Sequence, residues 1–303
     1  MKIENISDLH VLIQTAKGGS LSAAAATLNI TPAAASATLK RLEKQLGSRL
    51  FERSTRALRI TAQGQILLDY AQRAFELLHE GESQASANHA GLIGTLRVAA
   101  PSDLTRTVLL PWLSEFMEMH PGVQLKLSIG DRPLDVLRDE VDVALRYGQL
   151  SDSGLVARLL VNTRTFLCAA PSYLHKHGTP QTPEELAQHN CLIFERSGRP
   201  YRVWKFSKEG KTKVVSVTGD RSMDDAALAR EWAIAGAGII LKSGIDIQAD
   251  VQRGRLNTFL SDWETETYPL HALLPSNRFI PARVRAFVDF LANRFASGKN
   301  ESL

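Results

Sequence analysis

The chain has 303 residues, 44% hydrophobic and 22% charged, a balance that suits a globular protein with room for two or three folded units. No apolar run approaches the roughly 18 residues a membrane span needs. The two cysteines, Cys168 and Cys191, are too few for a disulfide framework or a cysteine-rich zinc site, and the net charge of +4 is too small to identify a partner.

The distribution of charge says more than its total. Residues 40–59 carry seven basic side chains (Lys40, Arg41, Lys44, Arg49, Arg53, Arg56 and Arg59) against Glu43 and Glu52. Residues 60–90 reverse the sign, with Arg73 against Asp69, Glu76, Glu80 and Glu82. A basic stripe followed by an acidic helix fits a polyanion partner as well as a solvated helix face. The opening MKIENISDLH lacks the apolar core of a signal peptide, so a cytoplasmic location is expected.

In chain order, Ser7 is placed to cap a helix whose apolar residues Leu9, Leu12, Ile13 and Ala16 share one face, ended by Gly18-Gly19. Ser20 or Ser22 starts a second helix rich in alanine that runs to Leu28. After the break Asn29-Ile30-Thr31-Pro32, a third helix is predicted from Pro32 to about Leu46, with Thr31 as its cap and Gly47 as its stop. Two short helices joined by a tight turn form a helix-turn-helix pattern. Ala33, Ala34 and Ser36 keep the start of the third helix slim enough for a major groove, and its N-terminal N–H groups suit phosphates. Arg49 to Thr61 alternates at its end and predicts a small basic hairpin, a wing beside that helix.

These residues carry a family signature. Leu21-Ser-Ala-Ala-Ala-Ala-Thr-Leu28-Asn-Ile-Thr31-Pro32-Ala-Ala-Ala-Ser36, then Leu42-Glu43, Leu46-Gly47, Leu50-Phe51, Arg53, Arg56 and Thr61 through Gly64, resemble the amino-terminal domain of LysR-type transcriptional regulators. The order of features through residue 303 is similar to that family too. The resemblance implies contacts to double-stranded DNA by Thr31, Pro32, Ala33, Ala34, Ser36, Lys40, Arg53, Thr55 and Arg56. Ala37 departs from the pattern, because a long polar or basic side chain is common there. A dimer would meet an imperfect palindrome.

From Thr61 to about His89 the pattern is one helix roughly 43 Å long. Leu67, Ala71, Ala74 and Leu78 form a coiled-coil-like seam, widened by Tyr70, Phe75 and Leu77. Packing onto the following domain is one use of that seam; the resemblance favours the other, a dimer linker. Residues 83–91 are small and polar enough for a hinge.

Beyond Thr95 the pattern changes to alternating strands and helices. Strands are predicted at Thr95–Ala100, Val123–Ile129, Val141–Leu145, Leu155–Val161, Thr165–Ala169, Cys191–Phe194 and Tyr268–Leu274, with a hairpin over Val203–Val217. Helices are predicted at Leu104–His120, Pro133–Glu140, Met223–Ala235 and Pro281–Phe295. This is an α/β pattern with a mostly parallel unit. The expected fold class is therefore α/β with an N-terminal all-α winged helix-turn-helix, a long linker helix and a C-terminal two-subdomain α/β effector domain. The resemblance implies that this last part is similar to type 2 periplasmic-binding proteins. The expected domains are 1–61, 62–92 and 93–303. The last splits into subdomain I, about 93–162 with 268–303, and subdomain II, about 163–267.

Open α/β sheets bind ligands beyond the carboxyl ends of strands, beside helix N-termini. Ser102 and Asp103 follow the first strand, Arg146 ends another, Ser197 follows Phe194, and Arg221 precedes Ser222-Met-Asp-Asp225, which has the form of a helix start. These six residues (Ser102, Asp103, Arg146, Ser197, Arg221 and Ser222) are the candidate effector contacts, and local capping explains Ser102 and Ser222 equally well. A small organic anion is the expected effector class, on account of the helix N-termini, Arg146 and Arg221. Asp103 argues mildly against it. Cys168 and Cys191 lie in apolar strands, where cysteine behaves as a small buried hydrophobe; a redox pair is the less favoured reading.

The expected function is a sequence-specific DNA-binding transcriptional regulator modulated by a small molecule. A DNA-tethered enzyme and an architectural DNA binder are the alternatives. The histidines His120, His175, His177, His189 and His271 lack a metal-ligand pattern, and no Gly-x-Ser-x-Gly elbow or glycine-rich phosphate fingerprint occurs. Gly236-Ala-Gly238 reads as a packing turn. No enzyme activity, cofactor or metal is expected. Expected partners are DNA, an effector and a second copy of the chain, with a homotetramer implied by the resemblance and RNA polymerase a candidate.

Overall fold

The structure, a computed structural model, describes residues 3–53, 58–85, 91–131, 141–148, 155–196, 198–275 and 280–297. The chain divides into two units, residues 1–90 and 91–303.

The first unit contains α1 (Asp8–Gly18), α2 (Leu21–Thr27), α3 (Pro32–Leu46), β1 (Phe51–Arg53), β2 (Leu58–Ile60) and α4 (Ala62–Ala85). Gly19, at φ 65°, ends α1 in the left-handed region. Ser7 makes no side-chain cap bond; its own N–H donates to Asn5 Oδ1 at 3.0 Å, so a turn leads the chain into the helix. Of the two serines that suit the start of α2, Ser20 is the cap, its Oγ accepting the Ala23 N–H at 3.1 Å. Leu9, Leu12 and Ile13 pack with Leu39, Leu42, Leu50, Phe51, Leu68 and Ala71 to form the core. Val11, Ala25 and Ala35 form a smaller cluster, where alanines let the three helices approach closely. β1 and β2 pair antiparallel with Glu52 opposite Arg59.

α4 uses its apolar residues differently from the predicted seam. Leu68 and Ala71 are buried, and Leu67 and Phe75 pack on the same core. Half of the Leu67–Ala71–Ala74–Leu78 row therefore faces its own unit. The row left to solvent holds Ile66, Tyr70, Leu77 and Leu78, exposed by 60, 67, 44 and 48%. The predicted continuation of this helix beyond Ala85, like the predicted helix Pro133–Glu140, lies outside the described residues.

The second unit begins with β3 (Gly94–Ala100), α5 (Ser102–Leu104), a π-helical turn at Thr105–Leu109 and α6 (Leu110–Met119). The single helix expected here is interrupted for a local reason. Pro111 has no N–H and its ring crowds the carbonyl four residues back, and the ladder widens so that the Leu110 N–H donates to the Thr105 carbonyl. Next come β4 (Val123–Ile129), β5 (Val143–Tyr147), β6 (Val156–Val161), β7 (Thr165–Ala169), α7 (Pro171–His177), a 3-10 turn at Pro183–Gln188, β8 (Ile193–Arg196) and β9 (Arg199–Pro200). The chain ends with β10 (Val203–Lys208), β11 (Lys211–Ser216), β12 (Ser222–Met223), α8 (Ala226–Ile234), β13 (Ile240–Ser243), α9 (Gly244–Gln252), β14 (Asn257–Phe259), β15 (Leu270–Leu274) and α10 (Ala282–Ser297).

These elements form two α/β subdomains. The first is built on the sheet β4-β3-β5-β15-β6, in which β4, β3 and β5 run parallel and β15 lies antiparallel between β5 and β6. The late strand returns to this sheet, as its position in the sequence suggested. Leu96, Val98, Leu113, Phe116, Phe287 and Leu291 fill the core between this sheet and its helices. The second subdomain holds the sheets β13-β7-β14 and β12-β8-β9 and the hairpin β10-β11. Its cores gather Trp204, Phe206 and Ile239 on one side and Cys168, Leu192 and Ile240 on the other. Gly236, at φ 80°, and Gly238, where a Cβ would stand 2.5 Å from the Asn190 carbonyl oxygen, serve a close backbone approach.

Candidate functional site

In the first unit the site is the face of α3. Thr31 Oγ1 accepts the Ala34 N–H at 3.1 Å and Pro32 occupies the first turn, so the helix starts cleanly at this edge. α3 buries Ala35, Leu39 and Leu42, a spacing of four and three. The opposite side leaves Thr31, Pro32, Ala33, Ala34, Ala37 and Lys40 exposed and Ser36 half-buried. Small side chains thus front the start of the helix, with a lysine two turns along.

Two charged residues of the same segment are committed within the unit. Arg41 donates from Nε and Nη2 to Asp8 of α1 at 2.8 and 2.7 Å, and this hydrogen bonding raises its pKa. Glu43 Oε1 accepts the Leu50 and Phe51 N–H groups at 2.8 and 3.3 Å, which fixes the approach to the hairpin. Thr61 Oγ1 donates to the Arg49 carbonyl at 2.7 Å and accepts the Gly64 N–H at 2.9 Å. A Cβ on Gly64 would stand 2.1 Å from the Leu50 carbonyl oxygen, so only glycine fits there. The backbone of Arg53 ends β1, and Thr55 and Arg56 lie outside the described residues.

In the second unit a cavity of about 130 Å³ lies between the two subdomains. Arg146 and Tyr147 come from the end of β5, Arg196 from the end of β8, Lys242 from β13, and Tyr268 from the segment leading into β15. Tyr147 and Tyr268 stack with ring centroids 5.0 Å apart and planes at 9°. Tyr147 Oη donates to Asp246 Oδ1 at 2.8 Å. Burial, then the charge of Asp103, pushes the Asp246 carboxyl up to about 7. Burial also raises Tyr147 and Tyr268 and lowers Arg146, whose guanidinium the charge of Asp131 partly supports.

A buried charge network joins the subdomains behind this cavity. Asp103 receives Arg230 Nε at 2.7 Å and also pairs with Lys242; Arg230 Nη1 reaches Asp250 at 2.8 Å. Burial works to lower the pKa of both cations, but the aspartates hold each above its ordinary value. At the edge, Ser102 Oγ lies 2.5 Å from Asp131 Oδ2 and 2.9 Å from Asp225 Oδ1, with one proton to give. Asp131 also accepts the N–H of Ser102 at 3.1 Å and that of Ala226, the first residue of α8, at 2.8 Å.

The six sequence-chosen effector residues therefore part company. Asp103 and Arg146 line the cavity. Ser102 is buried beside it and engaged in the bridge between subdomains. Arg221 and Ser222 are not part of its lining: Arg221 pairs with Asp220 at 2.7 Å and stacks on Trp232, and the Ser222 hydroxyl donates to Glu195 at 3.0 Å. α8 is capped not by Ser222 but by Asp225, which accepts the Ala227 and Leu228 N–H groups. Ser197 lies outside the described residues. Sequence reading passed over Arg196, Tyr201, Trp204, Lys242, Asp246 and Tyr268, all of which line the cavity. Arg196 adjoins Ser197 in sequence, and Lys242 and Asp246 stand four apart, but neither signal is distinctive without the fold.

Both cysteines are buried and unpaired, and burial pushes each thiol up to about 12, where little nucleophilic thiolate forms. Among the described residues no group of His, Cys, Asp or Glu is arranged to hold a metal ion, and no helix is long and apolar enough to cross a membrane.

Comparison with known proteins places both units in one family. Residues 6–65 match the family model for the bacterial regulatory helix-turn-helix protein, lysR family, and residues 89–296 match the LysR substrate binding domain. The chain is 31% identical over 295 residues to the probable HTH-type transcriptional regulator LtrA of Klebsiella pneumoniae, covering 96% of this chain and 95% of that one. The structure of CrgA, a LysR-type transcriptional regulator from Neisseria meningitidis, matches with a TM-score of 0.63 at 32% identity, over 97% of this chain and 99% of that one. Full-length AphB, the Vibrio cholerae virulence activator, matches with a TM-score of 0.58 at 28% identity, over 95% and 99%. With a helix-turn-helix unit followed by a two-subdomain ligand-binding unit, the chain belongs to the LysR family of DNA-binding transcriptional regulators modulated by small molecules.

Proposed function

We propose that the chain acts in the cytoplasm as a homo-oligomer, a dimer at minimum, on an imperfectly palindromic operator, without enzymatic activity of its own. The observation that carries the DNA-binding part is the face of α3, where exposed Pro32, Ala33 and Ala34 precede exposed Lys40 on the side away from the core. Pro32, Ala33, Ala34 and Ser36 approach base edges, while Thr31, Lys40, Arg53, Thr55 and Arg56 contact phosphate or the minor groove. Phosphate contacts supply affinity and base contacts supply sequence choice. The exposed row Ile66, Tyr70, Leu77 and Leu78 supports α4 as the dimer helix. The working division is 1–61 for DNA, 62–92 for dimerisation and hinge, and 93–303 for the effector.

The cavity between the subdomains is the effector site in this reading. Groups from both subdomains line it, so an occupant that prefers one arrangement of the pair biases the oligomer toward that arrangement. Selection of genomic fragments by the purified full-length protein, followed by footprinting of the recovered DNA, tests the whole proposal. Enrichment of fragments sharing a two-fold motif is expected. Fragments bound without any common motif would point to an architectural binder and overturn the sequence-specific reading.

A further inference from the structure

Most of the charge around the cavity is already engaged within the protein. Lys242 pairs with Asp103 and lies 4.0 Å from Asp246, and Arg230 is held by Asp103 and Asp250. The amides at the start of α8 are satisfied as well, Ala226 by Asp131 and Ala227 and Leu228 by Asp225. An incoming anion therefore meets protein carboxylates at the helix N-terminus, the place where open α/β folds commonly receive one.

Arg196 is different. Its guanidinium lies 3.6 Å from the centroid of Tyr201 and 5.2 Å from that of Tyr268, and all three residues line the cavity. Its Nε is buried without a hydrogen-bond partner among the described residues, and the side chain's other neighbours there are the two tyrosines, with Tyr201 also engaged through its hydroxyl. Thr165, another lining residue, also has a buried and unpartnered hydroxyl. A guanidinium stacked on a tyrosine face still points N–H donors outward in its plane, in the fork that matches a carboxylate, and here the Nε donor is the one left unpartnered. Leu192, Phe194, Trp204 and Ile240 supply an apolar wall to the same space.

We propose that the effector is a small organic carboxylate whose carboxylate is received by Arg196 and whose apolar body lies against Leu192, Phe194, Trp204 and Ile240. This rests on reading the cavity as the effector site. It moves anion recognition away from the α8 N-terminus, which Asp131 and Asp225 occupy, to a cation of the second subdomain that is held against Tyr201 and Tyr268.

The test is calorimetry on the full-length protein with a panel of small aliphatic and aromatic carboxylates, each beside its neutral carboxamide. Wild type, Arg196→Gln, Arg196→Lys and the surface control Lys176→Gln are compared, with circular dichroism melts to establish that each folds. Carboxylates and not carboxamides are expected to bind wild type. Arg196→Gln weakens that binding about tenfold to a hundredfold, the range for losing hydrogen bonds to a charged group. Arg196→Lys recovers part of it, because it restores charge without the fork, and Lys176→Gln changes nothing. Equal binding by Arg196→Gln, equal binding of the amides, or no carboxylate bound at all overturns the assignment. Operator binding measured on the same samples keeps the two ideas separate: DNA binding without carboxylate binding removes only the ligand class, whereas loss of specific DNA binding removes the regulator reading.

Discussion

Asp103, which follows β3 in the first subdomain, and Arg230, in α8 of the second, form an ion pair at 2.7 Å with side chains only 1% and 8% exposed. The pair joins the subdomains directly behind the cavity, and Lys242 and Asp250 extend it. Such a network adds less net stability than its distances suggest, because both charges give up water to form it. A separation of the subdomains would take Asp103 from both of its cations, whereas Arg230 would keep Asp250.

Removing one member exposes that dependence. Asp103→Ala leaves Arg230 and Lys242 short of a counter-charge and is expected to destabilise the second unit by about 3–5 kcal/mol. Asp103→Leu with Arg230→Met, which removes both charges, should lose less than the single variant. Chemical denaturation followed by tryptophan fluorescence checks this, and a double variant as unstable as the sum of the singles would show that the two sites act independently.

Asp246 sets a pH dependence of defined sign. Its folded-state pKa is raised, by burial and then by Asp103, from the ordinary 3.8 to about 7, while Lys242 and the Tyr147 hydroxyl pull the other way. The folded state therefore holds the Asp246 proton more tightly than the unfolded chain does. Its stabilising contribution is complete below the ordinary value and is lost as pH rises to about 7. Asp246→Asn, which keeps an uncharged side chain beside Tyr147, removes that slope. Melting curves of the two proteins across this range should converge at the acidic end and separate toward neutrality, with the wild type lower; parallel curves would contradict the shifted carboxyl.

The exposed row on α4 gives a prediction about assembly. Tyr70 is 67% exposed and Ile66 60% exposed on one helix face, so Tyr70→Lys places a charge in that row without touching the core formed by Leu68 and Ala71. Sedimentation equilibrium is expected to show self-association weakened by at least tenfold. Unchanged association would locate the dimer contact elsewhere.

On DNA, Lys40→Ala is expected to weaken binding to all sequences alike and to reduce the slope of log affinity against log salt by about 0.9, the value for one phosphate contact on duplex DNA. Ala37→Arg, at the exposed position one helical turn before Arg41, should act in the opposite direction. Fluorescence anisotropy at several salt concentrations reads both slopes, and an unaltered slope in the lysine variant would take Lys40 off the phosphate backbone.

The sequence by itself determined the elements whose causes are local. The Thr31 cap, Pro32 start and Gly47 stop of α3 are readable because a helix end is decided within a few residues, the strand Val123–Ile129 because alternation marks it, and Thr165–Ala169 because it is a short apolar run. The Thr61–Gly64 signature has an equally local cause, the close approach of Gly64 to Leu50. Which apolar row of α4 faces inward was not readable, since several rows are apolar and only the packing of Leu68 and Ala71 on α1 and α3 chooses between them. The cavity lay further out of reach: its lining runs from Pro101 to Tyr268 and is assembled by strands distant in sequence. Ser102 and Asp103 were legible as residues at a strand end, but that Asp131 fills the α8 N-terminus is a contact spanning 95 residues, and only tertiary structure decides it. That the Nε of Arg196 is buried and without a hydrogen-bond partner among the described residues is likewise a property of the folded surroundings and not of any local pattern.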